Sequence, residues 1–171
     1  DCGNAAGAIC GPDIFKNMNV DLTELFCDVD GTFPNHHPDP TVEANLTDLI
    51  SLMKTGKFDI GIAFDGDADR IGVVDETGDI IWADQLMALF LPEVLEEGDE
   101  ILYDVKCSQA LEKMIVKYGG KPIMWKTGHS LIYYRVFYRV VLLFVEMICH
   151  IFFADDYYGY YDAFYVAARI V

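Results

Sequence analysis

Three aspartates alternate with small residues in Asp65-Gly66-Asp67-Ala68-Asp69-Arg70, and an arginine closes the run. It lies between two apolar stretches, 58–64 and 71–74. Carboxylates at i, i+2 and i+4 converge on a hard divalent cation only where the backbone turns at them. Gly66 and the small Ala68 ease such a turn. Arg70 then offers a planar fork of donors to a phosphate held beside the metal. A metal ion with a phosphorylated ligand is the chemistry this spacing predicts.

Two other acidic readings compete. Asp65, Asp67 and Asp69 fit the first, third and fifth positions of an EF-hand calcium loop, and Glu76 the twelfth. Its sixth position wants glycine and here carries Arg70, and the flanks are β-rich where helices are required. That reading makes the chain a non-enzymatic calcium-binding module. The second rests on Phe26-Cys27-Asp28-Val29-Asp30-Gly31-Thr32, which resembles the haloacid-dehalogenase signature. There Asp28 would take up a phosphoryl group and Asp30 would act as acid/base. Asp21 and Glu24 interrupt the buried strand that this motif should follow.

The elements that must position these groups alternate. A small-residue turn at 3–7 opens a helix toward Phe15; 20–29 reads as a strand; and 33–40 is a proline-punctuated loop. Leu46, Leu49, Ile50 and Met53 recur at helical spacing, with Asn45 or Thr47 as cap. Strands follow at 60–64 and 71–74, with a turn at 75–78. The second half repeats the theme: helix 85–95, strand 101–105, helix 108–118, strand 122–125, and a buried strand in the apolar run 140–145. This alternation predicts an α/β fold, two layered units with mixed, mainly parallel sheets, divided into 1–78 and 79–171. Ligands are then expected at loops on the carboxyl ends of strands. Residues 133–140 read as a helix with almost no polar face.

The 171 residues suffice for one medium domain or two small ones, and the chain reads as an internal piece of a longer protein. A formal net charge of -16 argues against nucleic acid but not against a phosphorylated substrate, because local fields differ from the net. Five cysteines without zinc spacing or a disulfide framework point to a reducing cytoplasm. The apolar run at 140–145 is too short for a membrane helix, so no membrane partner is expected.

Five motifs stand in register: Asp1-Cys2-Gly3-Asn4-Ala5-Ala6-Gly7; Val29-Asp30-Gly31-Thr32-Phe33-Pro34-Asn35-His36-His37-Pro38-Asp39-Pro40; the aspartate loop; Asp104-Val105-Lys106-Cys107; and Trp125-Lys126-Thr127-Gly128-His129-Ser130. The series resembles the α-D-phosphohexomutase superfamily, most closely its bacterial phosphomannomutase/phosphoglucomutase branch. The match covers the second domain and part of the third of four domains. The resemblance implies an isomerase that moves a phosphoryl group between hexose 1-phosphate and 6-phosphate. It works through a phosphoserine and a bisphosphorylated sugar. By resemblance Asp65, Asp67 and Asp69 hold Mg²⁺, and Arg70 sits by the transferring phosphate. Lys106, Gly128 and His129 meet the phosphosugar, His129 also handling a proton. Glu146 accepts from sugar hydroxyls in Val145-Glu146-Met147-Ile148-Cys149-His150, where Ile148 replaces the family's serine and Val145 and Cys149 replace glycines. The serine loop and the phosphate-clamping fourth domain would come from the remaining domains of the same enzyme, and the chain alone would be inactive. Read one by one, His36, His37 and Asp30 are turn-stabilising, and Met87, Phe90, Met114 and Trp125 are core.

Overall fold

The computed structural model describes residues 1–125, 143–146, 150–153 and 161–171, with 143–146 and 152 described through the backbone alone. They form two compact units, Asp1–Ile81 with Asp162–Val171, and Trp82–Tyr161.

In the first unit the β-branched runs Ile60–Phe64 (β1) and Ile71–Asp75 (β2) pair antiparallel, from Ile60 opposite Asp75 to Phe64 opposite Ile71. Ile80–Ile81 (β3) adds a short third strand to β2. A hairpin loop of six residues, 65–70, therefore leaves from a closed strand pair. Helix Thr47–Met53 (α2), entered through a 3₁₀ turn at Glu43–Leu46, lays Leu46, Leu49 and Met53 on Ala63 and Val74. Burial of such side chains contributes about 1.5–3 kcal/mol each. The cap differs from expectation: Leu46 takes the cap position, Asn45 Nδ2 donates to the Asp39 carbonyl, and Thr47 Oγ1 donates to the Ala44 carbonyl.

Helix Gly7–Lys16 (α1) starts after the small-residue turn as expected. The expected strand at 20–29 does not form. Phe26 takes a φ of 54°, outside the strand region, and the segment makes only two backbone bonds to its neighbour, Cys2 N–H to the Leu25 carbonyl and Asn4 N–H to the Phe26 carbonyl. The first unit's described strands are all antiparallel, because the hairpin needs no crossover helix. Its last element, Ala163–Ile170 (α5), is capped by Asp162 and sets the Phe164 ring 4.7 Å from that of Phe64.

The second unit carries the parallel part. Glu100–Asp104 (β4) pairs parallel with Lys121–Trp125 (β5) on one side and Leu143–Glu146 (β6) on the other, and His150–Phe153 (β7) returns antiparallel. Ile101, Leu102, Tyr103 and Asp104 are all buried, as a central strand requires. Ala83–Val94 (α3) covers the sheet with Leu86, Met87, Phe90 and Leu91. Gln109–Lys117 (α4) packs Leu111 and Ile115 inward, and Ser108 Oγ caps it by accepting from Ala110 N–H. Met87 and Phe90 are core, whereas Met114 and Trp125 are half-buried. The helix expected at 133–140 lies outside the described residues. Among the described residues no helix is long and apolar enough to cross a membrane.

Candidate metal and phosphate site

The loop between β1 and β2 turns on Asp65, whose side chain is 2% exposed. Its Oδ1 accepts the backbone N–H of Asp69 and of Arg70, each at 3.1 Å, and its Oδ2 accepts Arg70 Nε at 2.6 Å. A buried carboxylate is stable only when so bonded. The left-handed residue of the turn is Ala68, with φ 62°, rather than Gly66. That reversal brings Asp65, Asp67 and Asp69 together, one oxygen of each lying within 4.8 Å of the others. Oxygens bound to one hard divalent cation at 2.0–2.6 Å lie at most about 4–5 Å apart, so the trio fits such an ion. Asp65 is buried, Asp69 half-buried and Asp67 exposed, so the set opens toward solvent.

Arg70 is held from two sides, by Asp65 and by Asp39, whose Oδ1 accepts Nη1 at 3.1 Å. Burial works against its charge. The hydrogen bond and attraction from Asp65, with Asp39 and Asp69, outweigh that and raise its pKa above the ordinary arginine value. Two of five guanidinium N–H groups are thus committed to Asp65 and Asp39. Asp39 was missed by sequence reasoning, which saw only a proline loop around it. Its oxygen also accepts the backbone and hydroxyl of Thr41. Gly72 permits its approach: a Cβ there would lie 2.7 Å from Pro40 Cβ. Two further bonds tie the loop to its surroundings, from Ala6 N–H to the Gly66 carbonyl and from Ala163 N–H to the Ala68 carbonyl, each 3.3 Å.

His36 and His37, expected to stabilise the proline loop, make contacts within it and to Asp1. His36 Nε2 meets Asp1 Oδ2 at 3.0 Å and its Nδ1 the His37 carbonyl at 3.0 Å, while His37 stacks on Phe33 with ring centres 6.0 Å apart. Asp30 is exposed and its Oδ1 accepts Thr32 N–H and Oγ1, bonds that lower its pKa.

In the second unit, the three parallel strands end together. Asp104 pairs with Trp125 and Tyr103 with Val145, so the carboxyl ends of β4, β5 and β6 share one edge of the sheet. Lys106 follows β4 and is exposed, and Glu146 is the last residue of β6. Gly128 and His129 follow β5 in sequence and lie outside the described residues. Two buried carboxylates hold the loop that carries Lys106: Asp104 Oδ1 accepts Lys106 N–H at 3.1 Å, and Asp84 Oδ2 accepts Ser108 N–H at 2.8 Å. Asp84, at the first turn of α3, also accepts Gln85 N–H. Nothing in its sequence context set it apart from a helix-start acid. Lys106, Asp84, Trp82 and Met114 line an open cavity of about 610 Å³.

Residues 1–78 match the model of phosphoglucomutase/phosphomannomutase alpha/beta/alpha domain II, and residues 82–171 that of domain III. The chain belongs to the phosphoglucomutase/phosphomannomutase family. Over 173 aligned positions covering all of the chain it is 47% identical to a phosphomannomutase/phosphoglucomutase of Pseudomonas putida and 46% identical to a phosphoglucomutase of Neisseria meningitidis. A crystal structure of a phosphoglucomutase/phosphomannomutase family protein from Burkholderia thailandensis superposes with a TM-score of 0.96 at 45% identity, over 99% of this chain and 38% of that one. The chain spans 37% of the length of the Pseudomonas relative.

Membership in this family, with the geometry, removes both competing readings. The aspartate loop joins two strands where an EF-hand needs two helices. Asp28 and Asp30 follow no strand among the described residues and stand exposed, where a dehalogenase nucleophile would end a buried one.

Proposed function

We propose that the chain supplies the metal-binding loop and part of the sugar-binding half of a phosphohexomutase, an enzyme interconverting hexose 1-phosphate and 6-phosphate. The reaction would run through a phosphoserine and a bisphosphorylated sugar. Residues 1–78 would carry the metal loop and 79–171 the sugar-binding loops. The serine and a phosphate-clamping domain would come from the remaining domains of the same cytoplasmic enzyme. The observation that carries this reading is the convergent aspartate trio beside a doubly clamped arginine.

Asp65, Asp67 and Asp69 would hold Mg²⁺, which when bound neutralises charge on the transferring phosphoryl group. Arg70 keeps its charge in the half-buried loop, and its uncommitted N–H groups would donate to phosphate oxygens in a fixed plane. Asp39 and Asp65 stop the guanidinium from rotating away from that plane. Lys106 would meet the phosphosugar from the carboxyl edge of the second sheet, joined there by Gly128, His129 and Glu146. His129 would also hold or release the proton of the attacking sugar hydroxyl. The sugar is mannose or glucose phosphate. Ile148 in place of the family's serine would weaken the grip around Glu146.

The test is Mg²⁺ titration of the chain by calorimetry together with turnover of the enzyme that contains it. Asp67→Ala should abolish Mg²⁺ binding and cut mutase turnover about 10²-fold or more, the scale of removing one stabilising group at a developing charge. Asp28→Asn should leave both intact. Unchanged Mg²⁺ binding in Asp67→Ala would overturn the assignment.

A further inference from the structure

The first unit also holds a pair of cysteines that the aspartate loop does not use. Cys2 and Cys27 place their sulfurs 3.2 Å apart, a contact in which either thiol can donate. Both are free thiols, separated by 25 positions in sequence. The backbone fixes both segments: Cys2 N–H donates to the Leu25 carbonyl at 3.0 Å and Asn4 N–H to the Phe26 carbonyl at 2.8 Å. Cys2 is 3% exposed and Cys27 half-buried, and both line a cleft of about 130 Å³ with Phe15, Leu25 and Phe58. That is room for a small molecule of up to about four waters' bulk, a water taking about 30 Å³ of liquid.

We propose that Cys2 and Cys27 form a modification site at which a peroxide converts the dithiol to a disulfide. Bringing the sulfurs from 3.2 Å to the bonding distance of about 2.05 Å needs roughly 1.2 Å of closure between the two side chains. A soft metal is the weaker reading, because two thiolates alone do not complete a zinc site and among the described residues only the aspartate trio groups three ligands.

Cys27 reacts first. The Cys2 thiol donates to its thiolate and holds its pKa below the ordinary thiol value, while that same contact and burial push Cys2 up. The Cys27 thiolate attacks one peroxide oxygen and the O–O bond breaks. Cys27 becomes a sulfenic acid, and the departing hydroxide takes up the proton Cys27 gave, leaving as water. The Cys2 sulfur then attacks the Cys27 sulfur. The S–S bond forms and the S–O bond breaks, and the hydroxyl leaves as a second water with the Cys2 proton. Two thiols are oxidised and one peroxide is reduced to two waters. The disulfide ties segment 1–4 to 25–27, and segment 1–6 is already bonded to β1 and the metal loop through Phe64 N–H to the Asp1 carbonyl and Ala6 N–H to the Gly66 carbonyl.

The experiment treats the intact protein with hydrogen peroxide, alkylates the remaining thiols, and maps peptides without reduction. A Cys2–Cys27 linked peptide is expected, lost on dithiothreitol treatment, with the exposed Cys10 still alkylated. The oxidised form should also melt several degrees higher than the reduced one. In Cys2→Ser the reaction should stop at a Cys27 sulfenic acid captured by dimedone. The proposal is overturned if Cys2 and Cys27 are both recovered alkylated after peroxide, or if either pairs with Cys10 or Cys107 instead. The wild-type map decides this even where Cys2→Ser fails to fold.

Discussion

The metal loop and the carboxyl edge of the second sheet both gather charged groups at strand ends, and they do so by different means. The loop is made of consecutive residues between two paired strands. Its candidate metal-binding carboxylates are also its scaffold, since Asp65 closes the turn by accepting the Asp69 and Arg70 N–H groups. At the sheet edge the contributing residues lie some 20 to 40 positions apart in sequence, on the ends of β4, β5 and β6. There the buried carboxylates Asp84 and Asp104 bind only backbone N–H groups, and the side chain they present, Lys106, stays free of them. A site built from one turn is self-organising. A site built from strand ends depends on loops pinned from elsewhere. Substitutions that strike scaffold and function together should be worst in the first region and separable in the second.

The largest effect is expected at Asp65→Ala. It removes the acceptor of two backbone N–H groups and of the Arg70 guanidinium at once, a loss of about 3 kcal/mol read by urea unfolding. Mg²⁺ binding should vanish with it, because no other carboxylate of the trio is buried. A loss below about 1 kcal/mol would show that the turn is set by the strand pair and not by Asp65.

Next comes Gly72→Ala. The added Cβ would stand 2.7 Å from Pro40 Cβ, and both atoms are fixed to backbone, so the proline loop must retreat. Overpacking of this kind costs about 1–3 kcal/mol. The retreat carries Asp39 off Arg70, so in the whole enzyme KM for the phosphosugar should rise while Mg²⁺ affinity holds. A variant with unchanged KM would break the link from Gly72 through Asp39 to Arg70.

Asp84→Ala sharpens the contrast from the other side. It leaves the N–H groups of Ser108 and Gln85 without their acceptor, which costs about 1–2 kcal/mol. The Lys106 loop loosens, so KM should rise, and Mg²⁺ affinity of the chain should stay within error. A fall in Mg²⁺ affinity would show that the two regions are not separable.

The unequal legibility of the two regions follows from the same contrast. Asp65, Asp67 and Asp69 could be read from sequence because a hairpin loop between β-branched runs is a local event. Asp39 could not, since its placement depends on a glycine 33 positions later lying against Pro40. Lys106 and Glu146 owed their assignment to motif resemblance, and the parallel register now brings their strand ends to one edge. The segment 20–29 reads as a strand by composition, yet the left-handed Phe26 and its two isolated backbone bonds prevent it. The expectation of parallel pairing held only in the second unit, where α4 separates β4 from β5; adjacent runs joined by a short loop pair antiparallel. The anchoring of the aspartate loop by Ala163 is a contact between residues 95 positions apart and left no trace in local sequence.

The smallest effect is expected within the loop itself, from Ala68→Gly, and its contrast is Ala68→Val. Its left-handed φ of 62° burdens a residue with a Cβ by about 1–2 kcal/mol, which Ala68→Gly would relieve. Glycine would also free the unfolded chain, at about 0.4–1 kcal/mol, and remove a buried methyl worth about 0.8 kcal/mol. Ala68 is 8% exposed, so the methyl term applies nearly in full. The three contributions leave Ala68→Gly within about 0.5 kcal/mol of the parent in urea unfolding, with Mg²⁺ affinity unchanged. Ala68→Val keeps the burial but adds a branch that the left-handed region rejects, and should lose about 2 kcal/mol or more along with Mg²⁺ binding. The pair isolates backbone conformation from side-chain contact. Equal stability of the two variants would mean that the hydrogen bonds of Asp65, and not the conformation of Ala68, set the spacing of the three aspartates.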